Sequence, residues 1–263
     1  MNIKRIFIIS FLFFLIIFDY KSDASNYKFK RTIINSEKKE LPVGEELLYR
    51  LELFGIPIGW IKLKIKEKTL FKGRSCYHII GQAYSNRFFK KFYDVAYNVD
   101  TYIDAETFVS YRFQKQRRLN NQFTKVTVDF NWDKKQIKIS DEVDNKQREQ
   151  LINLNDKTQD LLSSLYYFRL MNIELNGSYD IRIFYGTETW ITNIKVKSPQ
   201  LIDIYRKGSL EAFETEINTE LSQIILQTPR LTVYFTNDTK RIPILFYLRF
   251  PFGHLRGRIY NLK

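Results

Sequence analysis

Apolar and polar residues alternate along most of this sequence after residue 41, and a period of two is the period of a β-strand with one buried face. The pattern is clearest in 60–67, where Ile61, Leu63 and Ile65 alternate with lysines. Similar short segments, separated by turn residues, run through the rest of the chain. They lie at 48–54, 60–67, 76–84, 92–103, 107–118, 122–131, 135–140, 179–185, 188–197, 200–206, 210–217, 223–227, 230–236, 243–250 and 254–261. The pattern predicts a mainly β fold, an antiparallel barrel or a strongly curved half-barrel sheet.

One stretch departs from the alternation. After a polar segment at 141–157, apolar residues recur at helical spacing, which predicts one helix near 159–171. Thr158 is the expected N-cap, and Asp160 would favour the positive end of the helix dipole. A single helix of this kind could plug or cover the open side of a curved sheet.

The first 24 residues have the composition of a secretory signal peptide. A short basic start is followed by an apolar run, 6–18, and by small residues that suit a cut after Ala24. The alternative is an uncleaved N-terminal anchor, but a bilayer core needs roughly 20 apolar residues. We therefore expect an exported, periplasmic or secreted protein with a polar leader at 25–40 and a single β-rich domain at 41–263.

The composition excludes several classes of protein. The 263-residue chain is 44% hydrophobic and 16% aromatic, too apolar for a disordered protein. Its one cysteine, Cys76, excludes a disulfide-stapled fold, and with only His78 and His254 beside it no ordinary zinc site is expected. We predict no metal and no cofactor, and we expect Cys76 to be a buried, inert thiol.

Five short motifs follow one another along the chain. The first two are Gly44-Glu45-x-Leu47-x-Tyr49 and the loop 55–59 between two glycines. The third is the helical set Asp160-x-x-Ser163-x-x-Tyr166-x-x-Arg169, the fourth is 231–238 with Arg241-x-Pro243, and the last is Gly253. In order and spacing they resemble an exported bacterial family of unknown function, domain-of-unknown-function family 3108. The positions singled out as family-like and structural are Gly44, Glu45, Asp160, Ser163, Arg169, Asp238, Arg241 and Pro243. The resemblance implies an envelope-located antiparallel β protein, and it implies no catalytic residue.

Candidate catalytic groups are sparse, so we predict that the protein is not an enzyme. There is no Gly-x-Ser-x-Gly turn, and both histidines are interpreted as structural. Asp100 and Asp104, four residues apart on one predicted strand, would share a face and could serve a carboxylate-dependent hydrolase. Turn and edge polarity explains them more simply. Asp160 and Asp238 are interpreted as a helix cap and a turn residue, and Arg169 and Arg241 are expected to pair with carboxylates in the same structural role.

The formal net charge of +13 bears on the partners. The alternating lysines at 62–68 read as a solvated strand face, and Arg112, Lys115, Arg117 and Arg118 are interpreted in the same way. Export makes nucleic acid an unsuitable partner, whereas an anionic envelope surface would attract a basic face. Lysine-rich composition and solubility account for the same excess without any partner.

The aromatic content suggests the leading function. A curved sheet with an aromatic and aliphatic concave face could hold an acyl chain, with a helix strip acting as the ligand lid. That strip consists of Leu161, Leu162, Leu165 and Phe168. The function favoured is a non-enzymatic binder of a lipid or another hydrophobic or anionic envelope component. The alternative is an interaction or scaffold protein that binds another envelope protein through a basic face or an edge strand.

Overall fold

The computed structural model describes residues 40–119, 122–143, 146–204, 208–219, 230–250 and 253–263. The predicted signal peptide at 1–24, nearly all of the leader and the strand predicted at 223–227 lie outside these residues. No helix in the described part of the chain is long and apolar enough to cross a membrane.

The described residues form fifteen strands, one α-helix and a short 3-10 turn at Phe89–Lys91. The helix, α1, spans Leu161–Leu170. The strands are β1 Glu46–Leu53, β2 Ile56–Phe71, β3 Arg74–Ser85, β4 Val95–Asp104, β5 Ser110–Leu119, β6 Gln122–Asn131, β7 Gln136–Val143, β8 Lys146–Asn153, β9 Thr158–Gln159, β10 Ser178–Tyr185, β11 Glu188–Ile204, β12 Gly208–Thr219, β13 Arg230–Thr236, β14 Pro243–Phe250 and β15 Gly253–Leu262. The mainly β fold with a helix near 159–171 is thereby confirmed.

All fifteen strands belong to one sheet, in the order β8-β7-β6-β5-β4-β3-β2-β1-β15-β14-β13-β12-β11-β10-β9. Neighbours are antiparallel except β9 and β10, which are parallel. The first and last strands pair, Leu51 opposite Gly257, so the two halves of the chain meet in the middle of the sheet. Its ends, β8 and β9, do not pair with each other. The sheet is therefore a strongly curved half-barrel and not a closed barrel.

The predicted strand pattern needs two corrections. The polar segment 141–157 contains the end of β7 and the whole of β8. An edge strand has little apolar burial on either face, and residues 147–151 are all exposed, so no alternation marks it. The strands predicted at 188–197 and 200–206 are one strand, β11, whose pairing register shifts between Val196 and Pro199. A bulge accommodates the proline there without ending the strand.

The helix fills one end of the concave side. It packs on β4 and β10, and its buried face joins a core that includes Ile79, Ile103, Ile194 and Phe235 from strands of both halves. Phe168 lies with its ring centroid 5.0 Å from that of Phe235. Its apolar face is thus a central part of the core.

Candidate functional site

Asp160, and not Thr158, caps the helix. Its carboxylate accepts the backbone N–H groups of Leu162 and Ser163, both at 2.8 Å, and the Ser163 hydroxyl accepts the N–H of Asp160. This is a capping box with serine as its third residue. Thr158 lies in β9, where its hydroxyl donates to the Asn155 carbonyl. An aspartate can accept two N–H groups at once, which explains why the cap lies two residues later than predicted.

The same carboxylate ties the helix to the sheet. The hydroxyls of Thr101 on β4 and Ser110 on β5 donate to the other oxygen of Asp160, the first at 2.5 Å. Burial raises the pKa of Asp160, and the hydroxyl and backbone donors oppose part of that rise. Asp160 therefore has a structural role at the helix start.

A second group of residues fixes the other end of the helix; we call Glu45, Arg169, Asp238 and Arg241 the helix-end cluster. Arg169 donates to both Glu45 oxygens, at 2.6 and 2.7 Å, in a buried bidentate pair. Asp238 accepts the backbone N–H groups of Lys240 and Arg241 in the β13–β14 turn.

The two arginines of the cluster have different partners. Arg169 pairs with a carboxylate as predicted, but Arg241 donates to the backbone carbonyls of Arg169 and Met171. The carbonyl of Arg169 belongs to the last turn of the helix, where acceptors have no partner inside the helix, and Met171 directly follows that turn. Nearby, Tyr49 donates to the carbonyl of Pro243 at 2.6 Å. The family-like positions therefore converge on the two ends of one helix.

The two aspartates considered for hydrolysis do not meet in a cleft. Asp100 accepts a hydrogen bond from Nε2 of the His78 ring at 2.7 Å, and that ring stacks on Tyr102. Asp104 pairs with Arg74 at 2.6 Å and accepts the N–H of Thr107 in the β4–β5 turn. Burial by itself would raise the pKa of Asp104. The hydrogen bonds from Arg74 and Thr107 lower that pKa by a larger amount, so the net shift is downward. Both carboxylates thus have structural partners.

A cleft of about 550 Å³ opens on the concave side, between strands β5–β8 and the β10–β11 turn. It lies where the sheet fails to close. Its floor is aromatic and aliphatic, and a few charged groups surround it. The lining comprises Phe113, Lys115, Val126, Val128, Phe130, Ile139, Asp141, Arg148, Glu149, Gln150, Asp160, Leu161, Phe184, Tyr185, Gly186 and Thr187.

Lys115 is the charged residue that sequence interpretation misplaced. It is only 6% exposed and lines the cleft, whereas Arg112 on the other face of β5 pairs with Asp129 at 2.8 Å. The missed signal is the period of two: Lys115 follows Phe113 by two residues and therefore shares its inward face. Of the other charged groups in the lining, Glu149 pairs with Lys138, whereas Oδ1 of Asp141 is buried without a hydrogen-bond partner in the described part of the chain.

The four residues predicted as a lid do not form one surface over this cleft. Leu161 lines it, whereas Phe168 is buried in the core. Leu162 and Leu165 pack, partly buried, against that same core. Much of the predicted basic face is also paired: Lys62 lies 3.0 Å from Glu46, and Arg118 lies 2.9 Å from Asp94. In the described residues, no group of His, Cys, Asp and Glu has the arrangement of a metal site.

Comparison with known proteins gives the family. The model of "Protein of unknown function (DUF3108)" matches residues 48–259. The chain belongs to the DUF3108 family. This confirms the resemblance drawn from the five motifs. The comparison with curated proteins gives no match.

Two solved structures have similar folds. One is a β-barrel-like protein of the unknown-function family DUF1849 from Brucella abortus, with a TM-score of 0.55 and 11% identity. The match covers 84% of this chain and 97% of that one, and it supports the β-barrel-like architecture alone. The other, from Bacteroides fragilis, is described as a candidate exported protein with a YmcC-like fold. Its TM-score is 0.33 at 9% identity, with 84% of this chain and 96% of that one covered.

Proposed function

We propose that this DUF3108 protein is a non-enzymatic envelope protein that binds an amphipathic, lipid-like ligand in the concave cleft. The observation that carries the proposal is the cleft itself: an aromatic and aliphatic floor, next to charged groups, at the gap between the sheet ends. Its volume of about 550 Å³ lies within the range of small-molecule sites, roughly 300–1,000 Å³. The apolar tail of the ligand would lie on Phe113, Val128 and Phe184.

The head of that ligand would lie among the charged groups of the cleft, next to Lys115. Asp141 and Arg148 lie opposite each other on β7 and β8, and Glu149 pairs with Lys138. Asp160 is turned toward the hydroxyls of Thr101 and Ser110, and burial raises its pKa. Lys115 places a positive charge in the lining, at a buried position beside the apolar floor. A carboxylate or phosphate head would approach Lys115 while the tail covers the floor.

A binding titration with a fluorescent fatty acid, dansyl-undecanoic acid, tests the proposal. We expect a blue-shifted, saturable signal from the parent protein. Val126→Trp should reduce the affinity at least tenfold, because the larger side chain fills the cleft. Gln116→Trp is the matched control, since Gln116 occupies a neighbouring strand and faces the other side of the sheet. Equal affinity of both variants, or no saturable binding to the parent, would overturn the cleft as the site.

The charge of the head is tested separately with the methyl ester of the same probe. The parent should prefer the acid to the ester, and Lys115→Met should abolish that preference while keeping the ester affinity. If Lys115→Met leaves the preference intact, the acidic head is wrong but the apolar cleft stands.

The alternative, a scaffold role, rests on the edge strand β8. Its residues 147–151 are exposed, and Leu151 presents an apolar side chain at 64% exposure. An added strand from a partner protein could pair there. A Leu151→Pro variant that loses partners recovered by crosslinking in the envelope, with dansyl-undecanoic acid binding unchanged, would favour this role over the cleft.

A further inference from the structure

A short segment between β3 and β4 carries an exposed aromatic pair. Residues 86–93 contain the 3-10 turn Phe89–Lys91, and on either side of it Phe88 and Phe92 project to solvent, at 65% and 62% exposure. Their ring centroids are 5.7 Å apart, so they form one apolar surface. We call residues 86–93 the aromatic knob. An exposed pair of phenylalanines is an unusual surface for a soluble protein and typically marks an interaction site.

The knob is anchored to the body of the protein and has a defined conformation. Between the two exposed rings, Phe89 is buried among Leu53, Ile58 and Leu255. The side chain of Asn86 accepts the N–H of Phe89 at 2.7 Å and donates to the carbonyl of Pro57 at 2.6 Å. The exposed rings are therefore presented by a fixed support, and their exposure is a property of the fold.

The charges around the two rings are basic. Arg87, Lys90 and Lys91 are all exposed within the same eight residues. Lys90 lies 3.8 Å from the carboxylate of Asp94, and Arg118 lies 2.9 Å from the same carboxylate. One acidic side chain is therefore shared by two basic ones. Two aromatic rings at the tip with cations at their sides are the arrangement by which proteins bind the surface of an anionic bilayer.

The knob lies at the open end of the half-barrel. Val95, the first residue of β4, pairs with Leu119, and four residues further along Val99 pairs with the cleft lysine, Lys115. Four residues of strand span about 13 Å. Gly186, in the turn after β10, also lines the cleft and lies toward the same end of the sheet as the knob. The helix occupies the opposite end.

From these observations we propose that the aromatic knob docks the protein on anionic phospholipid bilayers, with Phe88 and Phe92 inserted at the level of the head groups. Arg87, Lys90 and Lys91 contact the lipid phosphates. Docking in this orientation turns the open end of the half-barrel toward the bilayer. The proposal stands independently of the ligand in the cleft, because it rests on the surface of 86–93 alone.

Depth-dependent quenching tests the contact directly. In a Phe92→Trp variant of the full chain, brominated phospholipids in phosphatidylglycerol vesicles should quench fluorescence beyond the level of the parent. Quenching should fall in pure phosphatidylcholine vesicles, because each cation near an anionic surface contributes roughly fivefold to partitioning. This reading is independent of whether the N-terminal segment remains attached, since it reports the position of residue 92. Quenching no greater than that of the parent would overturn the proposal.

A vesicle flotation assay supplies a matched control. Phe88→Ser with Phe92→Ser should reduce partitioning onto phosphatidylglycerol vesicles by about tenfold, the order expected from withdrawing two partly buried rings. The control is Leu151→Ser with Leu201→Ser, which removes two apolar side chains that are at least about as exposed, at 64% and 74%, from other places on the protein. Equal loss in both double variants would overturn the knob as the contact. The proposal would also be overturned if the Phe88→Ser with Phe92→Ser variant floated with vesicles as the parent does but lost a crosslinked protein partner. That result would identify the knob as a protein-binding surface.

Discussion

The two ends of the concave side are built on different principles. At the helix end, charged groups have internal partners: Glu45 with Arg169, and Arg241 with the last carbonyls of the helix. At the open end, Lys115 is buried beside an apolar cleft and two phenylalanines project from the knob. The first end uses its polar groups to hold the fold, whereas the second leaves surface that no described element covers.

The charged residues that carry the family resemblance lie at the two ends of the helix, and the residues of the cleft floor do not belong to them. The charged and capping positions, such as Glu45, Asp160 and Arg169, bind the helix and the sheet to each other. They hold the helix of this chain in its place on the sheet. The cleft residues Phe113 and Lys115 lie outside the motifs, so the chemistry of a ligand has to be read from the cleft of each protein.

The largest effect should follow from Arg169→Met. The change leaves the Glu45 carboxylate buried without its bidentate partner, and breaking such a pair costs about 3–5 kcal/mol. Urea unfolding followed by circular dichroism measures the free energy of unfolding. Arg148→Met, at an exposed arginine on β8, is the control and should change stability by less than about 0.5 kcal/mol. Similar losses in both variants would contradict the structural role of the pair.

Asp160→Ala should come next. It removes the acceptor for two helix N–H groups and leaves the hydroxyls of Thr101 and Ser110 without their shared partner. A lost cap costs about 1 kcal/mol and an unsatisfied buried group about 1–3 kcal/mol, so we expect roughly 3 kcal/mol. Asp160→Asn keeps one cap acceptor and should cost less. If alanine and asparagine are equivalent in urea unfolding, the capping role is wrong.

Acid should weaken the sheet at Asp104 and Asp129. Burial raises the pKa of each, but Arg74 lowers that of Asp104, Arg112 and Lys72 lower that of Asp129, and both net shifts are downward. Their contribution to stability is therefore complete above the unfolded pKa, near 4, and is lost as pH falls through the folded values. Thermal unfolding between pH 2.5 and 7 should show the decline. In Asp104→Asn the decline should be shallower, and an unchanged slope would contradict this assignment.

The pKa shift of Asp160 is upward, opposite to the shifts of Asp104 and Asp129. The effect of pH on stability can therefore distinguish Asp160 from the two paired carboxylates. Its folded pKa is raised, so the proton binds more tightly in the folded state, and stability is lost as pH rises from the unfolded value through the folded one. In Asp160→Asn that loss should disappear, and the remaining pH profile should report the paired carboxylates alone.

The sequence predicted regular elements well where one face is buried and poorly where neither face is. Alternation located β1, in which every second residue is buried, but edge strand β8 has no such pattern. The spacing of apolar residues located the helix. It did not show that Asp160 would accept the N–H groups of Leu162 and Ser163 and so cap the helix. Glu45 and Arg169 are 124 residues apart, and only the folded chain shows that they pair. Cys76 is buried, and burial raises its pKa to about 11, as suits an inert thiol.

The smallest effect on stability should come from Lys115→Met, the same kind of change as Arg169→Met at the other end. Methionine keeps the length of the lysine stem and its contacts with the apolar wall, and it removes the cost of holding an ammonium group away from water. We expect a change in the free energy of unfolding below about 1.5 kcal/mol, the range of volume-conserving core changes. In the same preparation, the affinity for dansyl-undecanoic acid should fall while that for its ester is kept. A loss of stability as large as that of Arg169→Met would mean that Lys115 holds the fold, and the contrast between the two ends would then fail.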